Sequence, residues 1–307
     1  MKEPAVSDLS LPESGRLGLW IRAARPRTLT LSVAPILVGL AHAVATFGRP
    51  AWTPVVAATI SALAIQIATN LANDASDGEK GLDGPRRLGP QRVTGAGLMS
   101  ADEVRRGAIA ATLIATVSGL VAVAWGGLPI LLIGLASVVA AWAYSNGPRP
   151  ISGTPFGEIF VVAYFGVAAV VGIEWLAAAA VTPTAVLLGV AVGLPAAAVL
   201  TVNNHRDRVE DARNGRRTLA ILVGARGAVA LYALELVGGV ALAALATAAP
   251  VGAAIVGLVA VPAVLAARAL ARLPIGRELN GRLAATAGFQ LLLALAIAAV
   301  FLGGFAG

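Results

Sequence analysis

The feature that most limits the fold of this chain is a succession of long apolar runs separated by short breaks. Hydrophobic residues make up 58% of the 307 residues and charged residues only 13%, about half the fraction usual in soluble domains. The mean hydropathy is +0.83. Runs of about 20 apolar residues can cross a bilayer as helices, so the sequence predicts an all-α, polytopic membrane protein.

Nine such runs predict nine transmembrane helices. Gly126-Gly127, Gly147-Pro148 and Pro183 fall between runs, where a helix has to end. We place the helices at residues 28–47, 52–73, 106–125, 128–144, 157–175, 185–204, 228–247, 251–271 and 283–305. Residues 1–27 are predicted to form a tail and interfacial lead-in, and residues 28–307 a single integral-membrane domain.

The basic residues predict the topology. With nine spans, 22 of the 23 Lys and Arg residues fall on one side of the membrane and only Arg49 falls on the other. By the positive-inside rule this side and the N-terminus are cytoplasmic, and the C-terminus is outside, in a bacterial cytoplasmic (inner) membrane. The net charge of +7 is then mainly a topology signal, and no nucleic-acid partner is expected.

The absence of cysteine excludes several kinds of site. Disulfides, thiolate catalysis, zinc–thiolate centres and iron–sulfur clusters all require that residue. The chain also has only two histidines, which disfavours a histidine-rich redox or haem site. Any metal site should therefore be built from carboxylate and amide oxygens.

Two acid-rich patches interrupt the apolar pattern, each at the end of a predicted span on the same side. Continued helices would align each patch into a stripe at helical spacing. The stripes are Asn70, Asp74 and Asp77 in the first patch, and Asn203, Asp207 and Asp211 in the second. Facing stripes would be costly unless cations lay between them, and hard oxygen ligands favour Mg²⁺.

Arginines surround both patches in sequence. Their planar guanidinium groups suit bidentate binding of phosphate, so acids, Mg²⁺ and arginines together predict a diphosphate headgroup with a lipid tail among the spans. A metal-bound allylic diphosphate is a good leaving group. A simpler interpretation stays open, because a single Asn-Asp pair is most often a cap or turn, and acids with arginines can form a structural salt-bridge network.

The two patches resemble the paired motifs of the UbiA superfamily of intramembrane prenyltransferases. The motifs are Asn73-Asp74-x-x-Asp77 and Asp207-x-x-x-Asp211. Residues 24–29, 73–92, 144–158 and 203–219 carry the similarity in the expected order. The resemblance implies a nine-helix fold around a central cavity, and Mg²⁺-dependent transfer of a polyprenyl group from polyprenyl diphosphate to an aromatic acceptor at the lipid bilayer.

The resemblance also implies roles for particular residues. The predicted metal ligands are Asp74, Asp77, Asp207 and Asp211, helped by Asn70 and Asn203. The predicted catalytic residues are the same four aspartates with Tyr144, near the allylic carbon or the leaving oxygen. The predicted substrate-binding residues are Asn70, Asn73, Asp83, Arg86, Arg87, Arg92, Arg149, Asn203, Asn204 and Arg206.

Within the superfamily, the similarity is greatest to the menaquinone-pathway branch. That branch implies 1,4-dihydroxy-2-naphthoate as acceptor, with loss of CO₂, giving demethylmenaquinone and diphosphate. An acceptor such as 4-hydroxybenzoate is the alternative, although Gly81 stands where those relatives usually have an acid. Two positions differ from the family pattern. Ala75 stands where the family commonly has an aromatic residue, and Arg216 stands where it often has a lysine.

A cation-coupled secondary transporter is the alternative from another class. Intramembrane acids are candidates for an ion path. Transport, however, favours acids near mid-span next to broken helices, whereas here they cluster at one face. Glu235 is the main mid-span acid.

Overall fold

The computed structural model describes residues 15–81, 88–145 and 150–307. All the regular secondary structure within these ranges is helical. In chain order they are α1 (Arg16–Ala24), α2 (Thr30–Phe47), α3 (Trp52–Glu79), α4 (Ala101–Ser145), α5 (Gly157–Val162), α6 (Ala169–Ala178), α7 (Pro183–Arg213), α8 (Leu219–Ala246), α9 (Pro250–Gly257), α10 (Ala260–Arg272) and α11 (Leu279–Leu302).

Eight helical segments of the described chain are long and apolar enough to cross a membrane. One of them, α4, is two helices joined at Gly127, whose φ of 61° and ψ of −149° are not helical. Trp142 in the second arm donates a hydrogen bond to Thr112 in the first arm at 3.3 Å. These two residues are the same number of positions after and before Gly127, so the two arms lie side by side. The arms of α4 are therefore antiparallel, and they supply the third and fourth of the nine predicted crossings.

The helices that carry the acid patches are longer than the predicted spans. The apolar runs suggested ends near residues 73 and 204, whereas α3 continues to Glu79 and α7 continues to Arg213. Hydropathy marks only the apolar part of a helix, and polar residues can extend the same helix beyond the hydrocarbon. We call the end of the bundle where α3 and α7 terminate the polar end.

Helix α7 forms the centre of the bundle. Its apolar window is 72% buried, the highest fraction among the membrane-length segments of the described chain. Buried residues of α7 such as Leu188 and Val192 pack in one core with residues of α2, α8 and α11. Because α7 is held on several sides, the patch at its polar end has a fixed position.

A short π-helical segment, Ala163–Ala168, separates α5 from α6. Segments of this kind insert an extra residue into a helical turn and often occur at functional sites. Here the segment carries Tyr164 and Phe165, both of which line the central cavity. The irregular turn thus contributes aromatic side chains to the cavity wall.

The turn of α4 gives a test of the fold. Gly127 has open space around its Cα, but its backbone conformation is one that almost only glycine adopts, so Gly127→Ala should destabilise the protein by about 1–3 kcal/mol. Thermal unfolding in detergent measures the change. Gly134→Ala, in the second arm with open space and no positive φ, should leave the melting temperature unchanged or slightly higher. Equal stability of the two variants would contradict this account.

Candidate active site

A cavity of about 1170 Å³ extends from the polar end into the bundle. Charged residues of both patches line it at the polar end, together with Arg22, Arg25 and Arg27. Away from the patches its walls are mainly apolar, with Ile130 and Leu176 as examples. Its wall on α3 runs from Ala58 to Asp77, roughly 28 Å at 1.5 Å per residue.

Helix α3 presents Asp74 and Asp77 to the polar end of the cavity, and both are buried. Asp74 accepts hydrogen bonds from the backbone N–H of Val93 at 3.3 Å and from the N–H and hydroxyl of Thr94 at 3.1 and 2.6 Å. Asp77 pairs with the guanidinium of Arg92. The first patch is therefore held by the segment that follows it in sequence.

Helix α7 presents the second patch from the opposite wall. Arg206, only 2% exposed, donates to Asp207 at 2.8 Å and to Asn203 at 2.7 Å. It also donates to Asn280 of α11 at 2.6 Å, and Asn280 donates to the carbonyl of Leu88 at 2.9 Å. Asn280 thus joins the last helix, the second patch and the segment after α3.

The two patches face each other, and one arginine lies between them. Arg216 contacts Asp211 at 3.1 Å and Asp77 at 3.8 Å. A single guanidinium therefore touches a carboxylate of each motif. The expected cost of facing like charges is offset in this structure by arginine side chains.

The other predicted residues have varied positions. Asn73 and Tyr144 line the cavity, and the ring of Tyr144 lies 6.1 Å from that of Phe160. Asn70 also lines it, while its amide donates to Thr28 and to the carbonyl of Ala24, both at 2.9 Å. Asn70 thereby ties α3 to the chain before α2.

Asn204 lies on another face of α7 from Asn203. Its amide donates to Glu158 at 2.9 Å, and both residues are buried. Asn203 lines the cavity and Asn204 is not among its lining residues. Four further predicted residues lie outside the described residues, namely Asp83, Arg86, Arg87 and Arg149.

Thr94 and Asn280 are site residues that the sequence patterns did not indicate. Thr94 lies in a loop without regular spacing, and Asn280 is a single amide at the start of the last apolar run. Arg216 was visible only as a departure from a family pattern. Asn280 contacts the second patch from 74 residues away in sequence. Arg216, close to the second patch in sequence, also reaches Asp77 of the first.

The donor chemistry of the polar end fits a hard divalent cation. Four aspartates and Asn203 supply only oxygen ligands, the type that Mg²⁺ prefers. In the part of the chain that the structure describes, no three acids or histidines are grouped closely enough to hold an ion as they stand. Asp77, Asp207 and Asp211 are paired with Arg92, Arg206 and Arg216, so these arginines would have to move before the same carboxylates could bind an ion.

Asn280 gives a test of how the site is held. Asn280→Ala leaves a buried Arg206 nitrogen and the Leu88 carbonyl without this partner, so it should destabilise the protein by about 1–3 kcal/mol. Asn280→Asp keeps an acceptor for Arg206 and should therefore lower the stability by less. Thermal unfolding compares the two variants, and an Asn280→Ala protein as stable as the wild type would contradict the assignment.

Comparison with known proteins identifies the family. The model of the UbiA prenyltransferase family matches residues 32–280. The 1,4-dihydroxy-2-naphthoate octaprenyltransferase of Escherichia coli K12 is 38% identical over 238 residues, which cover 75% of this chain and 76% of that protein. The protein of the same name from Mycobacterium tuberculosis H37Rv is 35% identical over 281 residues, covering 91% and 95%.

Solved structures share the fold. A UbiA homologue from Archaeoglobus fulgidus bound to GPP and Mg²⁺ gives a TM-score of 0.64 at 17% identity and covers 92% of this chain and 100% of its own. The apo structure of a UbiA homologue from Aeropyrum pernix K1 gives 0.65 at 19% identity, covering 91% and 98%. The match over most of the sequence and the shared helical architecture show that this chain belongs to the UbiA prenyltransferase family.

Proposed function

We propose that this protein transfers a polyprenyl group from polyprenyl diphosphate to 1,4-dihydroxy-2-naphthoate, with loss of CO₂. The observation that carries the proposal is a single cavity with two chemically different ends. Both acid motifs line its polar end, and mainly apolar side chains line the rest. Relatives named for this reaction are 33–38% identical to the chain, which supports the choice of acceptor.

The diphosphate is placed at the polar end and the isoprenoid tail along the apolar walls. Asp74, Asp77, Asp207 and Asp211, helped by Asn70 and Asn203, would hold Mg²⁺, which when bound neutralises charge on the leaving diphosphate. A homologue with the same fold has been solved bound to GPP and Mg²⁺, which supports a prenyl diphosphate and Mg²⁺ as the ligands of this cavity. The remaining predicted substrate contacts are Asn73, Asp83, Arg86, Arg87, Arg92, Arg149 and Arg206. Asn204 is not proposed as a contact, because it bonds to Glu158 and does not line the cavity.

Three aromatic side chains that line the cavity form a cluster. The rings of Phe160 and Tyr164 are 4.5 Å apart, and Tyr144 lies beside Phe160. Aromatic faces attract cations, so this cluster can stabilise the allylic cation that forms as the C–O bond to diphosphate breaks. The apolar walls exclude water, which would otherwise capture the cation.

The acceptor completes the reaction without an external oxidant. The ring carbon of the naphthoate that carries the carboxylate attacks the allylic cation and forms the new C–C bond. The bond to the carboxylate then breaks, CO₂ leaves, and its electron pair restores the aromatic ring. The product is the reduced form of demethylmenaquinone, together with diphosphate.

We place the polar end on the cytoplasmic side of a bacterial inner membrane, with the C-terminus outside. The distribution of Lys and Arg along the sequence supports this orientation. A transport function has less support, because Glu235, the main mid-span acid, is not among the cavity-lining residues. Glu235 accepts a hydrogen bond from Thr201 at 3.0 Å instead.

Replacement of a motif carboxylate tests the site. Asp74→Asn or Asp207→Asn should lower Mg²⁺-dependent prenyl transfer in membranes at least about 100-fold, because each removes charge where the leaving group is stabilised. Asp102→Asn removes the same charge from an acid whose side chain is 77% exposed and should retain activity. Full activity of both motif variants would refute the assignment.

The acceptor is tested directly with purified protein, Mg²⁺ and an allylic diphosphate. Dihydroxynaphthoate labelled with ¹³C in its carboxylate should release the label as CO₂ and yield a prenylated product that lacks it, as read by mass spectrometry. 4-Hydroxybenzoate, offered separately, should remain unchanged. Prenylation of 4-hydroxybenzoate alone would support the alternative acceptor.

A further inference from the structure

Arg216 lies between a carboxylate of the first motif and a carboxylate of the second. Its guanidinium touches Asp211 from one motif at 3.1 Å and Asp77 from the other at 3.8 Å. Both carboxylates are more than nine-tenths buried. Buried carboxylates that face each other need a counter-cation, and Arg216 provides one in the substrate-free chain.

The backbone holds Arg216 in this place. Gly215, with a φ of +74°, turns the chain back at the end of α7, so that the Arg216 N–H donates to the carbonyl of Asp211 at 2.9 Å. The next residue, Arg217, donates its N–H to the carbonyl of Gly153 at 2.8 Å. The base of the Arg216 side chain is thereby fixed, while its end reaches both patches.

Arg216 differs from the other arginines that contact the motifs. The side chain of Arg206 is 1% exposed and that of Arg92 is 8% exposed, and each has further partners, such as Asn280 for Arg206 and the carbonyl of Asn73 for Arg92. The side chain of Arg216 is 25% exposed. It can leave the carboxylates for water or for a nearby anion without breaking a buried network.

We propose that Arg216 is a resident counter-cation that divalent metal must displace from Asp77 and Asp211, and that it then faces the diphosphate brought in with the metal. The inference rests on the proposed function, since it takes the motif aspartates as metal ligands. Arg216 acts through those ligands and is a positioning residue. Its presence would keep metal affinity low until the substrate, which attracts both cations, is bound.

Metal binding without substrate tests the inference. Mn²⁺ replaces Mg²⁺ as the probe, and electron paramagnetic resonance measures its free concentration in titrations of the full chain in nanodiscs. Arg216→Gln should bind Mn²⁺ at least about tenfold more tightly than the wild type, because a competing cation within a few ångströms is gone. Its melting temperature should fall in EDTA and recover in saturating Mn²⁺.

Arg213→Gln is the matched control. Arg213 also lines the cavity and lies on α7, but it pairs with Glu210 at 3.3 Å rather than with a motif aspartate. The variant removes the same charge from the same region and should change Mn²⁺ affinity less than about threefold, because exposed charges are screened. An equal gain in both variants would overturn the inference in favour of a general charge effect.

Arg216→Lys serves if Arg216→Gln is too unstable to purify. Lysine keeps the charge but lacks the planar fork that spans two carboxylates, so its Mn²⁺ affinity should lie above that of the wild type. If the purified Arg216 variant binds Mn²⁺ no more tightly than the wild type, this inference is overturned and the proposed function is not affected. Absence of saturable Mn²⁺ binding in all proteins, wild type included, overturns the metal part of the proposed function as well.

Discussion

The burial of several carboxylates at one end of an apolar bundle is the constraint on which the structure of the site depends. Among the residues that the structure describes, three of the four motif aspartates pair with arginine, namely Asp77, Asp207 and Asp211. Asp74 is held instead by Thr94. Removing one partner of a buried ion pair costs far more than an exposed pair contributes, so acids and arginines must be understood as one network.

This network also explains why distant segments meet at the polar end. Arg92 comes from the loop after α3, Arg206 from α7 and Asn280 from α11, and each contacts a motif residue or its arginine. A charged group in a low-dielectric region needs several fixed partners, and no single helix can provide them. The last helix therefore contributes to the site, although its sequence is almost entirely apolar.

The apolar part of the cavity meets a different requirement. An allylic cation must be formed near the charged end but kept from water, and the walls beyond the patches provide this with side chains such as Ile130 and Leu176. Tyr144 and Phe160 also line this cavity, with their rings 6.1 Å apart. The polar and apolar ends of the cavity match the charged diphosphate and the apolar isoprenoid chain of the proposed substrate.

The sequence by itself determined the nine crossings and the two acid stripes, because hydropathy and helical spacing are local properties. Helical spacing placed Asn203, and not Asn204, in line with Asp207 and Asp211, but it did not show that Asn204 bonds to Glu158 on another face of α7. The sequence patterns also did not indicate that Thr94, Asn280 and Arg216 are partners of the patches. The contacts from Asn280 to Arg206 and from Arg216 to Asp77 join segments far apart in the chain, and only the tertiary structure brings those segments together.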